Sequence, residues 1–212
     1  MSNLALFNFD GTITWTDTWT PFMRLAIRPW RLAAGRVLLS PVVVGYRLGL
    51  MSASTGRLMA ARVAFTGEDA AAMRQLGATY ASDVLPGRIR PAALERVDWH
   101  RSRGDDVVVV SGSLDLYLKP WCEARGLDCL CATLEERDGR LTGRYVAGDC
   151  SGAEKVRRVR ARYDLSKYDQ VYAYGDSVED RELLELAHRK SYRWAEISHW
   201  GEVTSYGHPP VR

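Results

Sequence analysis

The sequence predicts an α/β fold with a parallel sheet, and three observations predict it. Three apolar runs have the length and character of buried strands: 4–9, Val107-Val108-Val109-Val110 and 170–174. Each stops at a small or acidic residue, in Asp10-Gly11-Thr12, Ser111-Gly112-Ser113 and Gly175-Asp176-Ser177. Stretches of helical character lie between them, and that alternation is the pattern of strands joined by helical crossovers. Ligands of such sheets sit beyond the carboxyl ends of the strands, where these three loops would converge.

Each element follows in order. The first strand ends at Asp10, where Gly11 allows a tight turn. Residues 15–85 then read as a mostly helical insertion. From Thr18 to Gly67 it holds no acidic residue but seven arginines, Arg24, Arg28, Arg31, Arg36, Arg47, Arg57 and Arg62. The whole chain is only +3, so this segment carries the positive charge and the remainder is acidic. Val37 to Leu50 is nearly all apolar, but Pro41 interrupts it and it falls short of the ~20 residues that span a bilayer. It is read as a buried or interfacial segment. Trp15, Trp19, Phe22, Met23 and Trp30 are read as packing residues of the insertion. The second strand ends at Ser111, and Asp138-Gly139 between Leu134 and Tyr145 marks a hairpin turn. Residues 153–163 should be a helix with a solvated arginine face. The third strand ends at Asp176, and 207–210 is a loose tail.

Composition bounds the function. The 212 residues suit one domain, or one with a small insertion, and 46% hydrophobic with 26% charged residues is ordinary globular composition. The net charge of +3 gives no support for nucleic acid as a partner. Residues 1–7 lack the pattern of a secretory signal, so none is expected, and the expectation is a cytoplasmic protein. Cys122, Cys129, Cys131 and Cys150 lack CxxC spacing and the four histidines are scattered, so free thiols are expected and zinc is not.

The chemistry concentrates at the three strand ends. Two residues apart, Asn8 and Asp10 can face one crevice. Asp176 and Asp180 are four apart, with Asp180 in the first turn of the next helix, where a carboxylate is favoured. Carboxylates and an amide oxygen gathered without histidine or cysteine suit a hard cation such as Mg²⁺. Ser111 and the backbone N–H groups around Gly112 suit a phosphate oxygen. Lys155, next to the Gly152 turn, can supply the balancing positive charge.

These segments, Asn8-Phe9-Asp10-Gly11-Thr12, Val110-Ser111-Gly112, Lys155 and Gly175-Asp176-Ser177-Val178-Glu179-Asp180, resemble the four ordered motifs of the haloacid dehalogenase (HAD) superfamily of phosphatases. Asp17, Arg62-Val63 and Asp138-Gly139-Arg140-Leu141-Thr142-Gly143 resemble its subfamily IB, which includes phosphoserine phosphatase. Cys150-Ser151-Gly152-Ala153-Glu154-Lys155 and the basic insertion look more like the branch that includes phosphatidylglycerophosphatase C. The resemblance implies a Rossmann-like core over 1–14 and 86–212, with an inserted helical cap of the C1 type over 15–85. It implies that residue 8 is the nucleophile, that Asp10 is the proton donor and later the base, and that Ser111, Gly112 and Lys155 hold the phosphoryl group. Mg²⁺ would be held by residue 8, the Asp10 carbonyl, Asp176 and Asp180, the last directly or through an intermediary. Asp17 and Arg62 match the positions that hold the amino and carboxylate groups of phosphoserine.

The chain departs from the family at one position. An aspartyl-phosphate needs an aspartate, and residue 8 is asparagine. Two explanations stand: an aspartate-to-asparagine change introduced to leave the site inert, or a natural, catalytically silent phospho-ligand-binding pseudo-phosphatase. Retention of Asp10 favours the first. The expected substrate is a small phosphomonoester or a lipid phosphate, the latter because arginines beside apolar residues suit peripheral contact with an anionic inner membrane face.

Overall fold

A computed structural model describes residues 2–31, 35, 44, 48 and 52–205. The apolar segment 37–50, with Arg36 and Arg47, falls largely outside these residues, as does the 207–210 tail.

In chain order the elements are β1 (Leu4–Phe7), α1 (Trp19–Ala26), α2 (Ala53–Phe65), α3 (Ala70–Thr79), α4 (Pro91–Ser102), β2 (Asp106–Leu114) and α5 (Asp115–Glu123). There follow β3 (Asp128–Ala132), β4 (Leu134–Arg137), β5 (Arg140–Tyr145), α6 (Ala153–Arg162), β6 (Val171–Gly175), α7 (Arg181–Leu186), β7 (Arg189–Tyr192), β8 (Ala195–Ile197) and α8 (Gly201–Ser205). The main sheet has strand order β3-β2-β1-β6-β7-β8. All its neighbours run parallel except β7 and β8. The predicted α/β fold is therefore the observed one, and the three strands inferred from sequence are adjacent interior strands of the sheet.

Side chains of β1 alternate between two apolar layers. Ala5 and Phe7 face a cluster shared with α4, α5 and the insertion, whereas Leu4 and Leu6 face Val159 of α6 and Leu183 and Leu184 of α7. A strand covered on both faces has no polar side to show, which is why β1 and β2 read as unbroken apolar runs. The insertion shares the first of these clusters: Phe22 and Phe65 are buried in it with Phe7, Phe9 and Tyr117.

Two local readings change. β2 does not stop at Ser111; it continues to Leu114, with a shift in its pairing to β3 after Ser111. The irregularity falls at Ser111-Gly112-Ser113, all three of which line the crevice. The Asp138-Gly139 turn joins β4 to β5 as expected, both residues adopting positive φ (50° and 73°). All four cysteines are free thiols.

Candidate active site

β1, β2 and β6 lie side by side, so their carboxyl ends deliver Asn8, Ser111 and Asp176 to one place. The Asn8 N–H donates to the Tyr174 carbonyl at 2.9 Å, extending the β1–β6 ladder one residue past β1 and fixing the direction of the Asn8 side chain. After it the chain makes a wide turn over Phe9–Ile13, with Gly11 at φ 75°. A Cβ there would overlap the Asp176 carboxylate, so glycine is needed for space as well as conformation.

Asn8, Asp10, Ser111, Gly112, Lys155, Asp176 and Asp180 all line one cavity of about 810 Å³. At its floor, buried Lys155 donates to Asn8 Oδ1 (2.9 Å) and Asp180 Oδ1 (2.5 Å). Asn8 Nδ2 donates to the Asp10 carbonyl (2.8 Å) and Asp176 Oδ1 (2.9 Å). Asp10 Oδ1 accepts from the Thr18 N–H (2.9 Å) and hydroxyl (2.5 Å), and its Oδ2 accepts from Ser113 Oγ (2.8 Å). Ser111 Oγ donates to Ser113 Oγ at 3.0 Å, so Ser111 and Asp10 share one hydroxyl chain.

Burial pushes the Asp10 carboxyl up to about 6, against the lowering effect of its Thr18 and Ser113 hydrogen bonds. An acid in that range can give and take a proton near neutrality. Burial, reinforced by neighbouring Asp180, also raises the pKa of Asp176.

Five carboxylates line the cavity (Asp10, Asp17, Asp176, Glu179 and Asp180) against two cations, Arg57 and Lys155. Such a surplus in a partly desolvated crevice is chemistry that a hard cation relieves. The Asp10 carbonyl and Asp176 Oδ1 converge on one point, and the amide nitrogen of Asn8 bonds both. This oxygen set fits a divalent ion once residue 8 turns an oxygen toward it.

Two of the expected ligand positions are engaged by other partners in the structure. The Asn8 oxygen faces Lys155, because an amide has one acceptor and the buried ammonium takes it. Asp180 Oδ1 is held by Lys155, and its Oδ2 accepts from the Asp176 and Ser177 N–H groups and Ser177 Oγ. Asp180 thus secures Lys155 and the 176–177 loop. Among the described residues no three His, Cys, Asp or Glu side chains form a metal cage.

The insertion changes other readings. Asp17 lines the cavity, but its carboxylate accepts from the Trp19 and Thr20 N–H groups (3.0 and 3.1 Å), capping α1. Arg62 is exposed and does not line the cavity. Trp15 and Trp19 form cavity wall, and Trp15 (55% exposed) and Trp30 (63%) are not packed inside the insertion. Glu179 lines the cavity and pairs with Arg57.

Sequence reasoning missed Thr18, Ser113, Asp149 and Arg57. Ser113 and Thr18 carried no signal beyond ordinary hydroxyls. Arg57 was one of seven arginines, and its partners Asp149 and Glu179 lie 92 and 122 positions away.

The haloacid dehalogenase-like hydrolase family model matches residues 5–185, which takes in every motif segment. The chain belongs to this family. Protein CicA of Caulobacter vibrioides is 31% identical over 194 residues, covering 90% of this chain and 85% of CicA. The histidinol-phosphatase of Neisseria meningitidis is 26% identical over 88% of this chain and 87% of its own length. Among solved structures, a probable phosphoserine phosphatase from Vibrio cholerae superposes with a TM-score of 0.68 at 16% identity, over 96% of this chain and 63% of that one. The superposition shows a shared fold. This HAD-family hydrolase chain thus has relatives named as phosphatases, and its sheet places the motif residues as described.

Proposed function

We propose that this HAD-family chain has the site of a Mg²⁺-dependent phosphomonoester hydrolase of the subfamily IB kind, with its covalent step disabled by Asn8. One observation carries the reading: residue 8, the Lys155 ammonium and the buried Asp10 carboxyl line the floor of one cavity. With aspartate at position 8, its carboxylate attacks phosphorus in line and the ester P–O bond breaks. The leaving alkoxide takes the Asp10 proton. Asp10 then accepts a proton from water, which attacks the aspartyl-phosphate, releasing phosphate and restoring residue 8. Lys155, Ser111 Oγ and the Gly112 N–H face the charge on the transferred group. Thr18 and Ser113 hold the Asp10 carboxyl in place throughout.

Mg²⁺, held by residue 8, the Asp10 carbonyl and Asp176, would supply charge neutralisation at the phosphoryl oxygens. Asn8 removes the anionic nucleophile while preserving shape. The residue-8 amide also satisfies Lys155, Asp10 and Asp176 together, which supports a silent, ligand-binding state for the chain as it stands.

The substrate is a small phosphomonoester or a lipid phosphate. Phosphoserine is the less favoured candidate, since Asp17 is committed to capping α1 and Arg62 lies outside the cavity. Exposed Trp15, Leu25, Trp30, Val44 and Leu48 in the arginine-rich insertion support peripheral contact with an anionic bilayer. Among the described residues no helix is long and apolar enough to cross a membrane.

The test is Asn8→Asp, assayed with Mg²⁺ against a panel of phosphomonoesters including phosphoserine and short-chain lipid phosphates. Turnover should rise by at least about 10³-fold over the Asn8 chain. No gain on any ester refutes the proposal. Failure to sediment with anionic vesicles at low salt removes the membrane contact alone.

A further inference from the structure

Arg57 is the cation that the insertion brings to the site. It lies in the second turn of α2, yet its guanidinium lines the cavity. Nε and Nη2 donate to Asp149 Oδ2 at 2.9 and 2.7 Å, and Nη2 also reaches both carboxylate oxygens of Glu179 at 2.9 Å. Asp149 sits just before the turn leading into α6, and Glu179 sits between the two motif aspartates, so one side chain ties α2 to two loops of the core.

Asp149 is the partner with consequences. Its side chain is 1% exposed, whereas that of Glu179 is 37% exposed and can be solvated without Arg57. Ser151 Oγ also donates to Asp149 Oδ2, at 3.1 Å, but the other oxygen, Oδ1, is buried with no hydrogen-bond partner. That oxygen points at the phosphate loop: a Cβ placed on Gly112 would lie 3.0 Å from Asp149 Oδ1 and 3.7 Å from Arg57 Nε. A buried carboxylate thus lies against the backbone that is to face a phosphate dianion. Without a counter-charge it would repel that dianion through a medium that screens poorly.

We propose that Arg57 is a positioning residue that neutralises Asp149, so that the Ser111-Gly112 loop accepts a phosphoryl group only when the insertion is seated on the core. This rests on the phosphate-site reading above. It gives the insertion an electrostatic part in the site: with α2 in place the loop has its counter-cation, and with α2 withdrawn the buried carboxylate faces the loop alone. Burial works against the charge on Arg57, but Asp149 and then Glu179 outweigh it and hold the guanidinium pKa above its ordinary value.

The test measures orthophosphate binding to the Asn8 chain by calorimetry with Mg²⁺ at fixed ionic strength. Comparison variants are Arg57→Met, Asp149→Asn and the double substitution. Arg57→Met should weaken binding by about ten-fold or more. The double variant should regain most of that loss although α2 is still untied, a recovery that a merely structural role for Arg57 would not produce. In the Asn8→Asp background, Arg57→Met should raise KM more than it lowers kcat. Asp149→Asn alone keeps the proposal falsifiable if Arg57→Met fails to fold, since it should bind phosphate at least as well as the parent. Weaker binding by that variant overturns the proposal. So does binding by Arg57→Met within about two-fold of the parent, or a double variant as weak as Arg57→Met. No orthophosphate binding by the unsubstituted chain overturns the phosphate-site reading itself, and this inference with it.

Discussion

Two buried polar clusters flank the same sheet, and only one of them opens on the cavity. In the first, Asn8, Asp10, Lys155, Asp176 and Asp180 meet at the strand ends, beside a cavity whose carboxylates outnumber its cations. In the second, Asp105 accepts from the Asn3 N–H and Nδ2 (3.3 and 2.7 Å) and lies 2.7 Å from His100 Nδ1, while His100 Nε2 lies 2.9 Å from the Tyr174 hydroxyl. Phe7 stacks on Tyr174 at 4.2 Å and closes that cluster off. Its donors and acceptors match one for one when the histidine is neutral with the proton on Nδ1. Burial of polar groups therefore does not distinguish a site from a structural tie; unbalanced charge facing an open cavity does.

Substitutions can break that contrast at different strengths. The largest effect should be the recovery of turnover in Asn8→Asp, because it returns the one missing charge to the unbalanced cluster. Next is Lys155→Met, which leaves Asp180 buried and unpaired. It should cost about 3–5 kcal/mol in a urea unfolding experiment, and a loss under about 1 kcal/mol would show that the ion pair is better hydrated than the structure indicates.

His100→Asn should cost less, about 1–3 kcal/mol at pH 7, and it sharpens the contrast through pH. Burial holds the His100 pKa below its ordinary 6.5, despite the raising effect of Asp105. The folded state therefore holds fewer protons on this ring than the unfolded state does just below that pH. The stabilisation from neutral His100 is present above 6.5 and drains away as pH falls through the folded value. Hydrogen bonds from His100 and Asn3 lower the Asp105 pKa in spite of burial, so its contribution is also lost toward acid, at lower pH. Parent stability should fall between pH 7 and 5 and the variant's should fall less; equal slopes would deny the histidine this role. The smallest effect is expected at Arg62→Ala. With an exposed side chain outside the cavity, it should change stability by no more than about 0.5 kcal/mol and leave the KM of the Asn8→Asp enzyme within about two-fold.

The cavity residues show where the sequence was legible. Asn8, Asp10 and Asp176 follow strand ends, Ser111 sits where the β2 pairing shifts, Asp180 stands just before α7 and Lys155 in the first turn of α6; local pattern announces such positions, and all six residues line the cavity. Arg57 and Arg62 share one helix and the same acid-free composition, five residues apart. Five residues on a 3.6-residue period is well over one turn, so the two point to different sides of α2. Composition could not choose between them, and resemblance pointed to the exposed one.

The apolar runs, their turn residues and the order of the motifs by themselves determined the parallel sheet and the ends at which its ligands gather, because these follow from local backbone preference and from which side chains avoid water. Tertiary structure alone decided how donors and acceptors were paired. The Asn8 oxygen went to Lys155, the Asp180 oxygens to Lys155 and the 176–177 loop, the Asp17 carboxylate to α1, and the Arg57 guanidinium to Asp149 and Glu179. Each of those choices is a competition for a limited number of lone pairs and charges among groups far apart in the chain, and its winner is set by distance and burial.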